Sequence, residues 1–138
     1  QFAWGSDPAN SFLPHNYDQN TVCYTGTHDN DTTQGWYQAA PAKEQHEARV
    51  YTRSDGQNIH WEFIRLCFLS SANMAIIPMQ DYMGLGGEHR MNLPGTTVNN
   101  WKWRYTRQQL ADVDHGYLLH LNEISNRNPR LGFTDNNL

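Results

Sequence analysis

Apolar residues along this chain arrive in short bursts between long polar stretches, alternating near the start and turning to a helical period further on. Gln1 to Trp4 enters directly on Phe2-Ala3-Trp4 and reads as the end of a strand, with Gln1 in place of a starting Met giving the look of a cut edge. A long polar loop follows from Gly5 to Asn20, punctuated by Pro8 and Pro14. Loops of that length inside compact domains are uncommon and usually functional. The β-rich run Thr21-Val22-Cys23-Tyr24-Thr25 then stops abruptly at Gly26-Thr27-His28-Asp29-Asn30-Asp31, so residues capable of chemistry crowd the C-terminal end of a strand. Asp31 or Thr32 is placed to cap the next helix. Pro41 opens a helical segment running to about Arg53, closed by Ser54-Asp55-Gly56.

From His60 to Asn73, Trp61, Ile64, Cys67 and Phe68 recur at helical spacing, and Phe63, Leu66 and Leu69 widen the stripe, which predicts a helix covered on more than one side. Ala75-Ile76-Ile77-Pro78-Met79 reads as a second short buried strand, again ending in polar groups, Gln80 and Asp81. A loop rich in Gly and Asn, Gly84 to Asn100, leads to Trp101-Lys102-Trp103-Arg104-Tyr105. The last helix is expected within Arg107 to Arg127, with Leu110, Val113, Tyr117, Leu121 and Ile124 on one face, Thr106 and Gln109 forming a capping box, and Gly116 as a weak point. Short hydrophobic strands alternating with helices indicate a parallel α/β architecture in one domain. In such folds function collects at the C-terminal ends of the strands, here His28, Asp29, Gln80 and Asp81.

Composition narrows the partners. Ten Lys and Arg stand against fourteen Asp and Glu, for a net charge of -4 and a pI near 5.9. That balance lacks the footprint expected of a duplex nucleic acid or anionic membrane binder. The apolar runs are far short of the roughly 20 residues that cross a bilayer. Cys23 and Cys67 both sit in apolar segments, where a buried reduced thiol is the ordinary state, so a cytoplasmic location is expected. Five Trp, seven Tyr and five Phe supply the bulk that the aliphatics do not.

No cofactor or metal is expected. Seven histidines are present, but neither Cys-x-x-Cys nor His-Glu-x-x-His occurs, and His115 and His120 splay around a helix. Gly84-Leu85-Gly86-Gly87 lacks the third glycine position of a dinucleotide fingerprint. His28 and Asp29, adjacent at a strand end, offer a donor and an anionic acceptor to vicinal hydroxyls of a sugar, with Trp36 and Tyr24 as flat apolar faces for its ring. Met91-Asn92-Leu93-Pro94-Gly95-Thr96-Thr97 is either an ordinary Pro-Gly turn or a second contributor to that site. Trp101 to Tyr105 could stack on single-stranded nucleic acid, but core anchoring of its aromatics is the better expectation.

Five blocks in order resemble one family: Gln1-Phe2-Ala3-Trp4; Phe12-Leu13-Pro14-His15-Asn16-Tyr17; Tyr24 to Thr33; Pro78-Met79-Gln80-Asp81; and Arg90 to Thr96 with Asn100-Trp101. They are similar to the C-terminal part of the 4-alpha-glucanotransferases, the amylomaltase or disproportionating enzymes of glycoside hydrolase family 77. The likeness runs from Gln1 to about Tyr105, and beyond it only length and helicity agree. It implies a (β/α)8 barrel in which Gln1 to Trp4, Val22 to Thr25 and Ala75 to Met79 are the sixth, seventh and eighth strands. About 250 residues are needed for such a barrel. Residues 1–138 would therefore form about the last three βα units.

The resemblance further implies transfer of an α-1,4-glucan segment to the 4-hydroxyl of an acceptor glucan or glucose by a retaining double displacement. Such chemistry requires a carboxylate nucleophile and a carboxyl acid/base about 5 to 5.5 Å apart. In the family both lie on earlier strands, so neither is in this sequence. The third carboxylate of the family falls on Asp29 as transition-state stabiliser, with His28, Asn92, Gln80, Asp81 and Trp36 as substrate-binding candidates and α-1,4-glucans or maltooligosaccharides as substrates. Amylases of family 13 have a comparable His-Asp pair and would make the parent a hydrolase. A noncatalytic glucan-binding module is the rival from a different class.

Overall fold

The structure, a computed structural model, describes residues 1–127. Strand β1 (Val22–Tyr24) lies parallel to β2 (Met74–Ile76), with Val22 opposite Met74, Cys23 opposite Ala75 and Tyr24 opposite Ile76. Between them run α1 (Thr33–Ala39), α2 (Ala42–Thr52) and α3 (Ile59–Leu69); after β2 come α4 (Met79–Tyr82), α5 (Arg107–Ala111) and α6 (His115–Ile124). Parallel strands cannot be joined by a tight turn, so the long helical connection is the ordinary solution.

Helix α3 is the hub. Its wide apolar stripe buries Ile59, Phe63, Ile64, Cys67 and Phe68. Ile59 and Phe63 pack with Ala3, Trp4, Leu13 and Ala48; Cys67 packs with Cys23 and Ala72; Ile64 and Phe68 pack with Leu121 of α6. Ile64 is fully buried, which is worth about 1.5–3 kcal/mol relative to exposure. The helix stops at Leu69, short of the expected Asn73. Its end is capped by Arg127, whose guanidinium donates to the carbonyls of Phe68 at 2.7 Å, Ala72 at 2.8 Å and Ser70 at 3.1 Å. The two thiols are free and buried, and Cys23 Sγ approaches the Cys67 carbonyl at 3.6 Å. The neighbouring Cys23 sulfur, together with burial, pushes the Cys67 thiol well up.

Several sequence expectations are corrected. Gln1 to Trp4 is a turn, not a strand; its amino group makes one link to the Thr25 carbonyl at 3.2 Å, and Ala3 and Trp4 are committed to the α3 cluster. The second strand ends at Ile76 because Pro78 has no N–H for a ladder and becomes the N-cap of α4. The second strand reads from the sequence as buried, yet Met74 and Ile76, like Val22 and Tyr24 of β1, stand exposed on one face, since the described helices lie on the other. The last helix is two: α5 has the expected capping box of Thr106 and Gln109, but Asp114 accepts a hydrogen bond from the Tyr117 N–H at 2.8 Å and starts α6 afresh. Of the two residues placed to cap α1, Asp31 and Thr32, it is Thr32 that does so, accepting from the Gly35 N–H at 3.0 Å.

His60 is buried on α3 beside Gln34, whose Nε2 lies 3.2 Å from its Nδ1. Burial lowers its pKa, and the Asp81 charge opposes that only in part. A histidine harder to protonate folded than unfolded holds stability above its unfolded pKa, about 6.5, and loses it as pH falls from there toward the folded value. Thermal melts of the full-length protein from pH 7 to pH 5 should therefore show a smaller fall for His60→Gln than for wild type. Parallel curves for the two would reject this role.

Candidate functional site

The site grows from the turn that follows β1. Thr27 donates through its backbone N–H and its Oγ1 to Asn30 Oδ1, at 2.8 and 3.1 Å, and the Asn30 N–H donates back to the Thr27 carbonyl at 3.1 Å. An Asn side chain closing its own turn in this way fixes the backbone without help from a ladder. The two residues at the tip, His28 and Asp29, are thrown outward with side chains 54% and 55% exposed. His28 Nε2 lies 3.4 Å from Asp29 Oδ1.

A second loop comes up to meet them after α4. Asn92 Nδ2 donates to Asp29 Oδ1 at 2.6 Å, and the Arg90 guanidinium donates to the Asp29 carbonyl at 3.0 Å and the Asn92 carbonyl at 2.9 Å. Asp31 holds Arg90 from the other side with Oδ2 3.6 Å from Nη1. This clamp needs the loop to approach α1 closely, and Gly35 permits it. A Cβ there would lie 2.7 Å from Gly87 Cα and 2.5 Å from Asp31 Oδ1. With Oδ1 engaged by Asn92, Asp29 Oδ2 accepts no hydrogen bond among the described residues. An anionic acceptor is thus left pointing free beside an imidazole.

Next to this pair opens a cavity of about 310 Å³, lined by His28, Gln80, Arg90, Met91, Trp101 and Trp103, among others. Gln80 is buried, and its Nε2 donates to the His89 carbonyl at 3.2 Å. Asp81 also borders the cavity, but its carboxylate is already occupied. Oδ2 accepts from Thr25 Oγ1 at 2.5 Å and Thr33 Oγ1 at 2.9 Å, and Oδ1 accepts from the Thr33 N–H at 2.7 Å. Three donors from β1's end and α1's first turn thus converge on a residue of α4, which ties these elements together beneath the site.

The structure brings His28, Asp29 and Asn92 together, places Gln80 and Asp81 with His28 on a cavity that Asp29 and Asn92 adjoin without lining, and separates Trp36 from them. Trp36 packs on Phe63 with ring centroids 5.4 Å apart, a core contact between α1 and α3, so the expectation of an exposed sugar platform there is corrected. Tyr24 remains exposed on β1. The expectation that Trp101 to Tyr105 anchors in the core also fails, since Trp101 and Tyr105 are 56% and 46% exposed. Sequence reasoning missed Arg90 and the clamp it forms with Asp31. The signal was present, since Arg90 opens the Arg90 to Thr96 block and Asp31 closes the His28-Asp29 block, yet nothing in either run showed that they would pair. Among the described residues, no group of three or more His, Cys, Asp or Glu side chains is arranged to hold a metal ion, and no helix is long and apolar enough to cross a membrane.

Fold and site together define a parallel α/β unit carrying a carboxylate and an imidazole at a strand end, above an aromatic-walled cavity. The family model described as 4-alpha-glucanotransferase matches residues 1–110, and the chain belongs to that family. It is 48% identical over 136 residues to a 4-alpha-glucanotransferase of Synechocystis sp., covering 97% of this chain and 26% of that protein. A 4-alpha-glucanotransferase of Thermus thermophilus is 41% identical over 124 residues, covering 84% of this chain and 25% of that protein. Among solved structures, an amylomaltase from Streptococcus agalactiae in complex with acarbose is similar with a TM-score of 0.84 at 31% identity, covering 91% of this chain and 26% of that one. The chain thus spans about a quarter of the length of these three relatives.

Proposed function

We propose that the chain is part of a 4-alpha-glucanotransferase that moves a segment of an α-1,4-glucan to the 4-hydroxyl of an acceptor glucan or glucose by a retaining mechanism. Residues 1–138 are, in this reading, the C-terminal part of its (β/α)8 catalytic domain, about the last three βα units by the family resemblance, of which the described residues form the strands of the last two, β1 and β2. Membership of the family supports the activity, and the quarter-length coverage supports the placement of nucleophile and acid/base outside this sequence. The open face of the β1–β2 pair is what a barrel interior leaves when the strands whose side chains would fill it are absent. Acarbose in the similar amylomaltase supports an α-glucan or maltooligosaccharide as the ligand. A cytoplasmic location is supported by the free thiols of Cys23 and Cys67.

The observation that carries the site assignment is the Asn92 to Asp29 bond at 2.6 Å. It turns the carboxylate so that one oxygen is held and the other is free to accept from a sugar hydroxyl. His28 supplies a donor to the neighbouring hydroxyl. Gln80 contributes from the cavity floor, and Asp81 acts by fixing Thr25 and Thr33 beneath the loop instead of touching the sugar. Positive charge develops on the ring in an oxocarbenium-like transition state, and a fixed carboxylate nearby stabilises that state more than the substrate.

Purified full-length protein incubated with maltotriose should produce glucose together with maltooligosaccharides longer than the substrate. Release of shorter sugars without longer ones would make it a hydrolase and reject the transferase reading. In the same assay His28→Gln should lower kcat/KM roughly tenfold, the scale of one hydrogen bond in a partly exposed site. A complete loss with His28→Gln would make His28, not Asp29, the group on which turnover depends.

A further inference from the structure

The loop that brings Asn92 to the site continues through backbone conformations that its residues do not adopt freely. Asn99 and Trp101 both have φ of 62°. Asn tolerates this left-handed region, whereas a bulky aromatic there is an outlier that persists only where its surroundings impose it. Those surroundings are specific. Asn100 Oδ1 accepts from the Leu93 N–H at 2.9 Å, and its Nδ2 donates to the carbonyl and hydroxyl oxygens of Thr96 at 3.0 Å each. The Trp101 N–H donates to the Met91 carbonyl at 2.8 Å. Four hydrogen bonds hold a tryptophan where glycine would be at ease.

The result is presentation of the indole and not its burial. Trp101 is 56% exposed, its ring centroid lies 5.0 Å from that of His28 with the planes 40° apart, and it borders the cavity. Trp103 borders the same cavity with its Nε1 donating to His89 Nδ1 at 3.3 Å, so its ring is fixed as well. A tryptophan forgoes much apolar burial by standing in the open.

We propose that Trp101 is a stacking platform for a pyranose ring of the glucan chain, next to the ring whose hydroxyls meet His28 and Asp29. The proposal rests on the glucanotransferase reading. The flat apolar face of an indole matches the C–H face of a glucose ring, and a platform fixed by its own loop loses little conformational freedom on binding. Backbone strain is then the stability cost of holding the ring in place.

That cost gives the test two readouts of opposite sign. In the full-length protein, Trp101→Gly should raise KM for maltotriose roughly tenfold with kcat changed far less, because uniform binding is lost. Its melting temperature should equal or exceed that of wild type, since glycine is relaxed at this φ. Trp101→Phe, which keeps an aromatic face, should recover most of the affinity. A KM within twofold of wild type for Trp101→Gly overturns the proposal. So does an equal loss in the Phe variant, which would make the loop's shape and not the ring the determinant. A melting temperature of the Gly variant well below wild type would also overturn it, by showing the ring packed against the rest of the protein. Calorimetric titration of wild type and Trp101→Gly with maltoheptaose separates this proposal from the reaction it rests on. Equal affinities overturn the platform even where transfer proceeds. Unequal affinities in a protein that hydrolyses without transfer support the platform and reject the transferase.

Discussion

Asp29→Asn in the full-length protein should lower maltotriose disproportionation by roughly two to three orders of magnitude, the scale of removing one preorganised transition-state contact. The change is isosteric, and the side chain is 55% exposed, so little folding energy depends on its charge. An asparagine oxygen can still accept from Asn92 Nδ2, and the Arg90 bond goes to the Asp29 backbone carbonyl, which the substitution does not touch. The clamp therefore survives while the negative charge beside the sugar is lost. Because that charge matters most when the ring becomes cationic, kcat should fall more than KM rises. The melting temperature of the variant checks that the fold is kept, and initial rates of glucose release from maltotriose measure the loss. Activity within threefold of wild type would remove Asp29 from the catalytic machinery.

How much of this could be read from the sequence depends on the range of the interaction. Local signals held well. The capping box of Thr106 and Gln109, the helix that starts after Pro41 and the parallel β–helix–β order are properties of a few neighbouring residues, and all are found. The clustering of His28 and Asp29 at a strand end was legible for the same reason. What depended on distant partners was not. Gln1 to Trp4 has the composition of a strand, but a ladder requires a neighbour, and Trp4 is instead drawn into the cluster around α3. Trp36 and Trp101 have the same side chain and opposite fates, one against Phe63 in the core and one in the open beside His28. Residue type alone could not tell them apart, because a positive φ at position 101 and the side chain of Asn100 decide the second. The Arg90 clamp joins positions 61 residues apart in the chain, beyond any local pattern.

The same distinction explains why Asp81, which the sequence offers as a ligand contact, is expected to matter most for stability. Asp81→Ala should destabilise the full-length protein by about 3–5 kcal/mol, the range found when one member of a buried charged network is removed. Three donors lose their acceptor together: the hydroxyls of Thr25 and Thr33 and the backbone N–H of Thr33. Thr25, Thr33 and Asp81 are all buried, so water does not freely replace the carboxylate, and each unsatisfied donor costs about 1–3 kcal/mol. The damage reaches the site through geometry. Thr25 directly follows β1 and precedes the 26–31 turn, and Thr33 begins α1, whose approach to Gly87 sets Arg90 against Asp31. Asp81→Asn should fall between wild type and Asp81→Ala, since its one carbonyl oxygen can still accept while its amide group faces donors. Urea denaturation gives the stability change, and the activity remaining at low temperature separates folding from contact. If Asp81→Ala kept full stability and lost only substrate affinity, the carboxylate would belong to the binding surface and not to the scaffold under it.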